Sequence, residues 1–261
     1  MNSAGNAPLT GRYDRHLRLA GFTAAAQERI AAARVAVVGA GGLGSPVLLY
    51  LAGAGVGSLD IIDFDRVAAD NLPRQILFTE ADLGKAKASA AARTLAARNG
   101  EVRVRGLCLR LSADNAQDLL CSHDVVVDAT DGFANKLLLN DTCVRLGIPL
   151  VHGGVLGYNG QVAVFSPPRG PCLRCLIGST RAEGEVSPDA ASTGVFGPAT
   201  GLLGCLQAAE TLKLLTGIGD VLIGSMLVID AAFMEMRKVR IDADPECPAC
   251  GSRSSATPPP A

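Results

Sequence analysis

The sequence predicts an α/β fold, a doubly wound and mainly parallel sheet continued by antiparallel strands, with a four-cysteine zinc site. Three observations carry this. A β-branched run, Arg34 to Val38, enters the turn Gly39-Ala-Gly41-Gly42-Leu-Gly44 and is followed by an apolar stretch and a second run ending at Asp63. Short apolar runs then alternate with helix-like stretches as far as His152, as parallel strands with crossover helices require. Beyond Gly153 the pattern changes to alternating strands, and two Cys-x-x-Cys pairs appear.

The elements follow in order. Strands are expected over Val35–Val38, Leu59–Asp63, Val102–Cys108, Val125–Asp128 and Leu150–His152. Helices are expected between them over Ser45–Ala54, Lys85–Ala97, Asn115–Leu120 and Ala134–Leu146. The segment 160–166 reads as a strand, possibly antiparallel, then 202–215 as a helix, then 226–229 and 236–241 as strands. Residues 35–57 lack charge, but the glycine turn divides them into a strand and a helix, which argues against a membrane span. Residues 1–10 and 252–261 are small, polar and proline-containing, and are expected to be disordered around one domain at 11–251.

The glycine turn points to a nucleotide. Gly39 permits the tight turn, Gly41 lets backbone approach a phosphate, and Gly44 lets helix pack on strand. The helix that follows offers free N–H groups to an anion. Asp63 stands where a carboxylate can accept from ribose hydroxyls. A nicotinamide-dependent oxidoreductase is the ordinary reading of such a unit. The next residues argue for a triphosphate instead: Asp65, Asn71, Arg74, Gln75, Lys85 and Lys87 crowd the stretch just past the ribose carboxylate. Arg74 can fork onto phosphate oxygens and Lys87 can act as a point charge. A departing pyrophosphate needs such fixed positive charge.

Cys172-Leu-Arg-Cys175 and Cys247-Pro-Ala-Cys250 can supply four thiolates to one tetrahedral zinc. The gap between them excludes one continuous finger, so the metal would tie the C-terminal end back onto the middle of the chain. Neither pair reads as opening a helix, as a redox pair would. Cys108, Cys121, Cys143 and Cys205 lie in or beside apolar runs and are expected in the core. Eight cysteines with two metal-type spacings fit a reducing cytoplasm. A net charge of −1 and scarce aromatics give no argument for nucleic acid or an anionic membrane.

These pieces in this order resemble the ThiF/MoeB/HesA adenylyltransferases, bacterial relatives of ubiquitin-activating enzymes, and most nearly those serving molybdopterin synthase. The carrying motifs are Arg12-Tyr-Asp-Arg15-His-Leu-Arg-Leu, the glycine turn, Asp63-Phe-Asp65, Asn71-Leu-Pro-Arg74-Gln75, Lys87, Asp128-Ala-Thr-Asp131 and the cysteine pairs. The resemblance implies ATP and magnesium, and adenylation of the C-terminal Gly-Gly carboxylate of a ubiquitin-like sulfur carrier. A thiocarboxylate would follow, with sulfur from a separate donor. It implies that Asp63 holds the ribose, that Asn71, Arg74, Gln75 and Lys87 surround the phosphates, and that Asp131 lies at the magnesium. Arg15 would cross a homodimer interface into the partner's site. A carboxylate nucleophile is already ionised at neutral pH, so no general base is required.

Two departures stand out. Some relatives carry a reactive cysteine in the stretch 177–198; here Ala190 falls near that place. Many relatives have Asn directly after the aspartate and Arg three residues further on, where this chain has Gly132, with Asn135 and Lys136 nearby. A catalytically inactive protein-binding relative is therefore a third reading. The 177–198 stretch is expected to flank a channel for the carrier's tail. No rhodanese-like extension follows the core. His152 ends a strand near the site and has no assigned role. The carrier stays open among molybdopterin, thiamine, cysteine and secondary-metabolite pathways.

Overall fold

The computed structural model describes residues 11–178 and 193–251. The expected disorder at both termini, Ala190 and most of the 177–198 stretch fall outside the described residues. The strands are β1 (Arg34–Val38), β2 (Ser58–Ile62), β3 (Arg103–Leu107), β4 (Val125–Asp128), β5 (Leu150–Leu156), β6 (Asn159–Phe165), β7 (Ser225–Asp230) and β8 (Glu235–Arg240). They form one sheet in the order β3-β2-β1-β4-β5-β6-β7-β8. The first five are parallel and the rest antiparallel, as the change of pattern after Gly153 predicts.

The helices are α1 (Asp14–Leu17), α2 (Ala24–Ala32), α3 (Gly44–Ala54), α4 (Lys87–Arg98), α5 (Ala116–Leu120), α6 (Phe133–Leu146), α7 (Leu173–Ile177) and α8 (Gly197–Thr216). Side chains alternate across the sheet and feed two cores. Val35, Val37, Leu59, Ile61 and Val127 pack with Leu48 and Leu51 of α3, Leu95 of α4 and Leu203 of α8. Ala36, Val38, Ile62, Val126 and Leu150 pack on the other face with Leu120 of α5 and Leu139 of α6. The long apolar helix α8 lies against β5 and α3, so the sheet stays covered where its antiparallel half begins. Strand β8, Glu-Met-Arg-Lys-Val-Arg, is exposed along its length, and its charges guard an open edge.

The order reverses between β1 and β4. The carboxyl ends of β1, β2 and β4 therefore open onto one crevice, the place where open α/β sheets take ligands. Helix α8 begins five residues before the expected 202, because Pro198 sits in its first turn, where a missing N–H is harmless.

Two expectations are corrected. Cys108 and Cys121 are exposed rather than in the core; Cys108 lies just past the edge strand β3, and Cys121 caps the short helix α5. Cys143 is buried and Cys205 half-buried. Cys172 does open a helix, the five-residue α7, although the pair at Cys247 does not. This helix follows the antiparallel strand β6 and lies outside any βαβ unit.

Candidate functional site

The glycine turn behaves as its spacing requires. Gly39 has φ +96°, and a Cβ there would strike the Ala129 carbonyl at 2.5 Å. A Cβ on Gly44 would meet the Gly39 carbonyl at 2.0 Å, so the start of α3 sits directly on the turn. Gly44 thus shapes the turn from beneath, while Gly39, Gly41 and Gly42 line a cleft of about 320 Å³.

The same cleft gathers Asp63, Asp65, Arg74, Gln75, Lys87, Asp131, Asn135 and Lys136 from four separate stretches of chain. Two predicted residues lie elsewhere. Asn71 is buried and donates to Asp70, and Arg15 is exposed on α1. Asp63 is buried at the end of β2; its carboxylate accepts from the N–H groups of Ala40 and Asp65, both at 2.8 Å. Burial pushes this carboxyl upward against those two donors and the nearby Lys87 charge. Lys87, itself buried, reaches Asp65 at 3.2 Å. The Arg74 guanidinium is held by the Asp70 carbonyl at 2.7 Å. Two cations thus face the glycine turn, and Asp131 lies exposed past the end of β4.

Beneath Asp131 is a buried ionic network. The fully buried Asp128 carboxylate accepts from His152 Nδ1 at 2.8 Å, the Thr130 hydroxyl at 2.7 Å and the Lys136 ammonium at 3.2 Å. Lys136 also donates to the carbonyls of Thr130 and Gly153, each at 2.7 Å. Burial alone would raise Asp128, but the Lys136 charge and the His152 and Thr130 donors hold it well below the usual carboxylate range. Burial pushes His152 below its ordinary value of 6.5, partly offset by its bond to Asp128.

Both folded values are depressed, so both groups stabilise the fold above their unfolded values, and that contribution falls as pH drops. Stability is expected to decline first below about pH 6.5, as unfolding lets His152 take a proton. Urea midpoints between pH 8 and 5 check this. The decline should shrink in His152→Asn; an equal decline in that variant would remove His152 as the cause.

Sequence reasoning named Lys136 only as a stand-in for an arginine and left His152 unassigned. The available signal was a lysine and a histidine in apolar surroundings with one buried aspartate to share. It also missed Leu109, Arg110 and Leu111, which wall the cleft beyond β3.

The four cysteines of the two pairs come together. Their Sγ atoms all lie within 4.8 Å of one another, with separations of 3.9, 3.6 and 3.4 Å for Cys172–Cys175, Cys172–Cys247 and Cys175–Cys250. A disulfide would need about 2.05 Å. Four sulfurs at about 2.3 Å from a central ion stand roughly 3.8 Å apart, so the donor set fits tetrahedral zinc. Burial pushes the Cys172 and Cys250 thiols up, while backbone N–H groups of Cys250 and Ala249 hold Cys247 down despite its burial. No described helix is long and apolar enough to cross a membrane.

Comparison with known proteins agrees with this geometry. A Thermus thermophilus protein named sulfur carrier protein adenylyltransferase is 46% identical over 245 residues, covering 92% of this chain and 90% of that one. The SAMP-activating enzyme E1 of Haloferax volcanii is 42% identical over 240 residues, covering 92% and 88%. E. coli MccB, solved with AMPCPP and MccA, superposes with a TM-score of 0.82 at 25% identity, covering 94% of this chain and 75% of MccB. The ThiF family profile matches residues 13–249, and the chain belongs to the ThiF family.

Proposed function

We propose that residues 11–251 form one adenylation domain that uses ATP to adenylate the C-terminal Gly-Gly carboxylate of a ubiquitin-like sulfur carrier. Pyrophosphate leaves, and the acyl-adenylate later becomes a thiocarboxylate with sulfur from a separate donor. The observation that carries this is the pair Arg74 and Lys87, set across the strand-order switch from the glycine turn and beyond the buried Asp63. Two phosphate-binding cations in that place suit a nucleotide whose bond between α- and β-phosphate must break.

Asp63 accepts from the ribose hydroxyls. Backbone N–H groups of the turn and the start of α3 face the phosphates. Arg74 and Lys87 neutralise charge as pyrophosphate departs. A carrier carboxylate, ionised at neutral pH, then needs only to be placed in line with the α-phosphorus. Asp131, an exposed carboxylate in the cleft, is a suitable oxygen ligand for magnesium, which keeps several waters and supplies charge to the polyphosphate. Cys172, Cys175, Cys247 and Cys250 hold a structural zinc, since four thiolates leave no open position for chemistry. The clustered thiols place the protein in a reducing cytoplasm.

The test is ATP–pyrophosphate exchange with purified Gly-Gly-ending carriers, run beside NAD titration. Carrier-dependent exchange is expected; NAD binding without ATP binding, or carrier binding without exchange, overturns the reading. Arg15 acts in trans within a homodimer. An Arg15→Ala subunit mixed with an Asp131→Ala subunit should therefore recover part of the activity that each homodimer lacks. Size-exclusion and exchange measurements on the mixture check it, and no recovery excludes the trans role.

A further inference from the structure

We infer that Phe64 and Arg110 form the base-recognition element of the cleft, with the Arg110 guanidinium lying against the purine of the bound nucleotide. This rests on the part of the proposed function that places ATP in the cleft.

The direction of the nucleotide fixes where its base must go. The glycine turn, Arg74 and Lys87 mark the phosphate end, and Asp63 marks the ribose. Away from the turn, the cleft is walled by Phe64, next in chain to Asp63, and by Leu109, Arg110 and Leu111. The two walls are held together because β2 and β3 pair to their ends, Ile62 opposite Leu107, and the Asp63 N–H donates to the Leu107 carbonyl at 3.2 Å. A planar base on a ribose at Asp63 therefore meets two leucines and an aromatic ring.

Arg110 completes that slot. Its guanidinium carbon stands 3.5 Å from the centroid of the Phe64 ring, and the ring is 44% exposed. The loop carrying Arg110 is fixed: the Asn115 side chain donates to the Arg110 carbonyl at 3.0 Å and accepts from the Ser112 N–H at 2.9 Å. Among the described residues no carboxylate pairs with Arg110, so the ring is the partner that orients it. A guanidinium is planar, permanently charged and weakly hydrated, and it stacks on π faces. Poised on one aromatic ring at the mouth of an apolar slot, it offers its other face and its edge to a purine, whose ring nitrogens accept hydrogen bonds.

The experiment measures ATP affinity in the presence of magnesium by calorimetry, for wild type, Arg110→Ala, Arg110→Lys and Phe64→Leu. Inorganic tripolyphosphate serves as a competitor without a base. The Arg110→Ala and Phe64→Leu proteins should bind ATP about tenfold more weakly, with Arg110→Lys recovering little of the loss. Their competition by tripolyphosphate should be unchanged. Unaltered ATP affinity in Arg110→Ala overturns the inference, and so does equal weakening toward ATP and tripolyphosphate. Wild-type protein that binds ATP but shows no carrier-dependent exchange would sink the adenylation reading while leaving the base element standing.

Discussion

Replacing Asp131 by alanine is expected to lower carrier-dependent ATP–pyrophosphate exchange by about 10²–10³-fold, the scale on which one electrostatic group at a reacting centre acts. The fold should not suffer. Asp131 is exposed, and the hydrogen bonds that shape its turn belong to Asp128, Thr130 and Lys136. Circular dichroism and the thermal transition should match wild type, and ATP should still bind through Arg74, Lys87 and Asp63. A variant that retains exchange within a factor of three at saturating magnesium would remove Asp131 from the reaction. A variant that loses exchange and melts early would mean that its role is to hold the turn.

The Cys247→Ser protein should lose its zinc and melt well below wild type. Loss of a structural metal belongs to the changes that cost more than about 4 kcal/mol, and in a chain of this size each kcal/mol moves the transition by about 2–4 °C. The expected drop is therefore roughly 10 °C. The thiols do more than meet one another. Helix α7, which begins at Cys172, is tied to α6 by the Leu173 N–H to Asn140 at 2.8 Å and by Arg174 to Asp141 at 2.7 Å. Cys175 accepts from the Asp244 N–H at 3.4 Å. Without the ion, residues 244–251 have little apolar surface to keep them docked. None of the four cysteines lines the cleft, so activity measured in the cold should fall less than stability does. Elemental analysis and calorimetry decide; an unchanged transition with zinc absent would show that the segment docks without metal.

The parallel half of the sheet was legible because each strand is a short β-branched run bounded by a turn signal, and a glycine turn fixes what comes next. The antiparallel half was legible from the loss of intervening helices after Gly153. The N-terminal helices were not, because what holds them is distant in sequence. Tyr13 donates to Glu101 at 2.6 Å and accepts from Asn99, and Gln27 donates to the Ala54 carbonyl. No local pattern announces partners that far away.

The site divides in the same way. Gly39, Gly41, Asp63, Arg74 and Lys87 could be read because motif spacing places them. Asn71 is buried outside the cleft wall, since its side chain closes a local turn with Asp70. The Asp128–Lys136–His152 network could not be read. It depends on β4, β5 and α6 meeting in register, and none of the three residues says by itself that it will be buried.

That network bears on how the molecule should age under heat. Lys136 cannot leave its three oxygens without stranding an anion in the interior, so the segment carrying Asp131 has a single resting place. There is no loose intermediate in which the protein remains assembled while its reaction centre wanders. Catalysis and architecture should therefore fail together, along one curve rather than two.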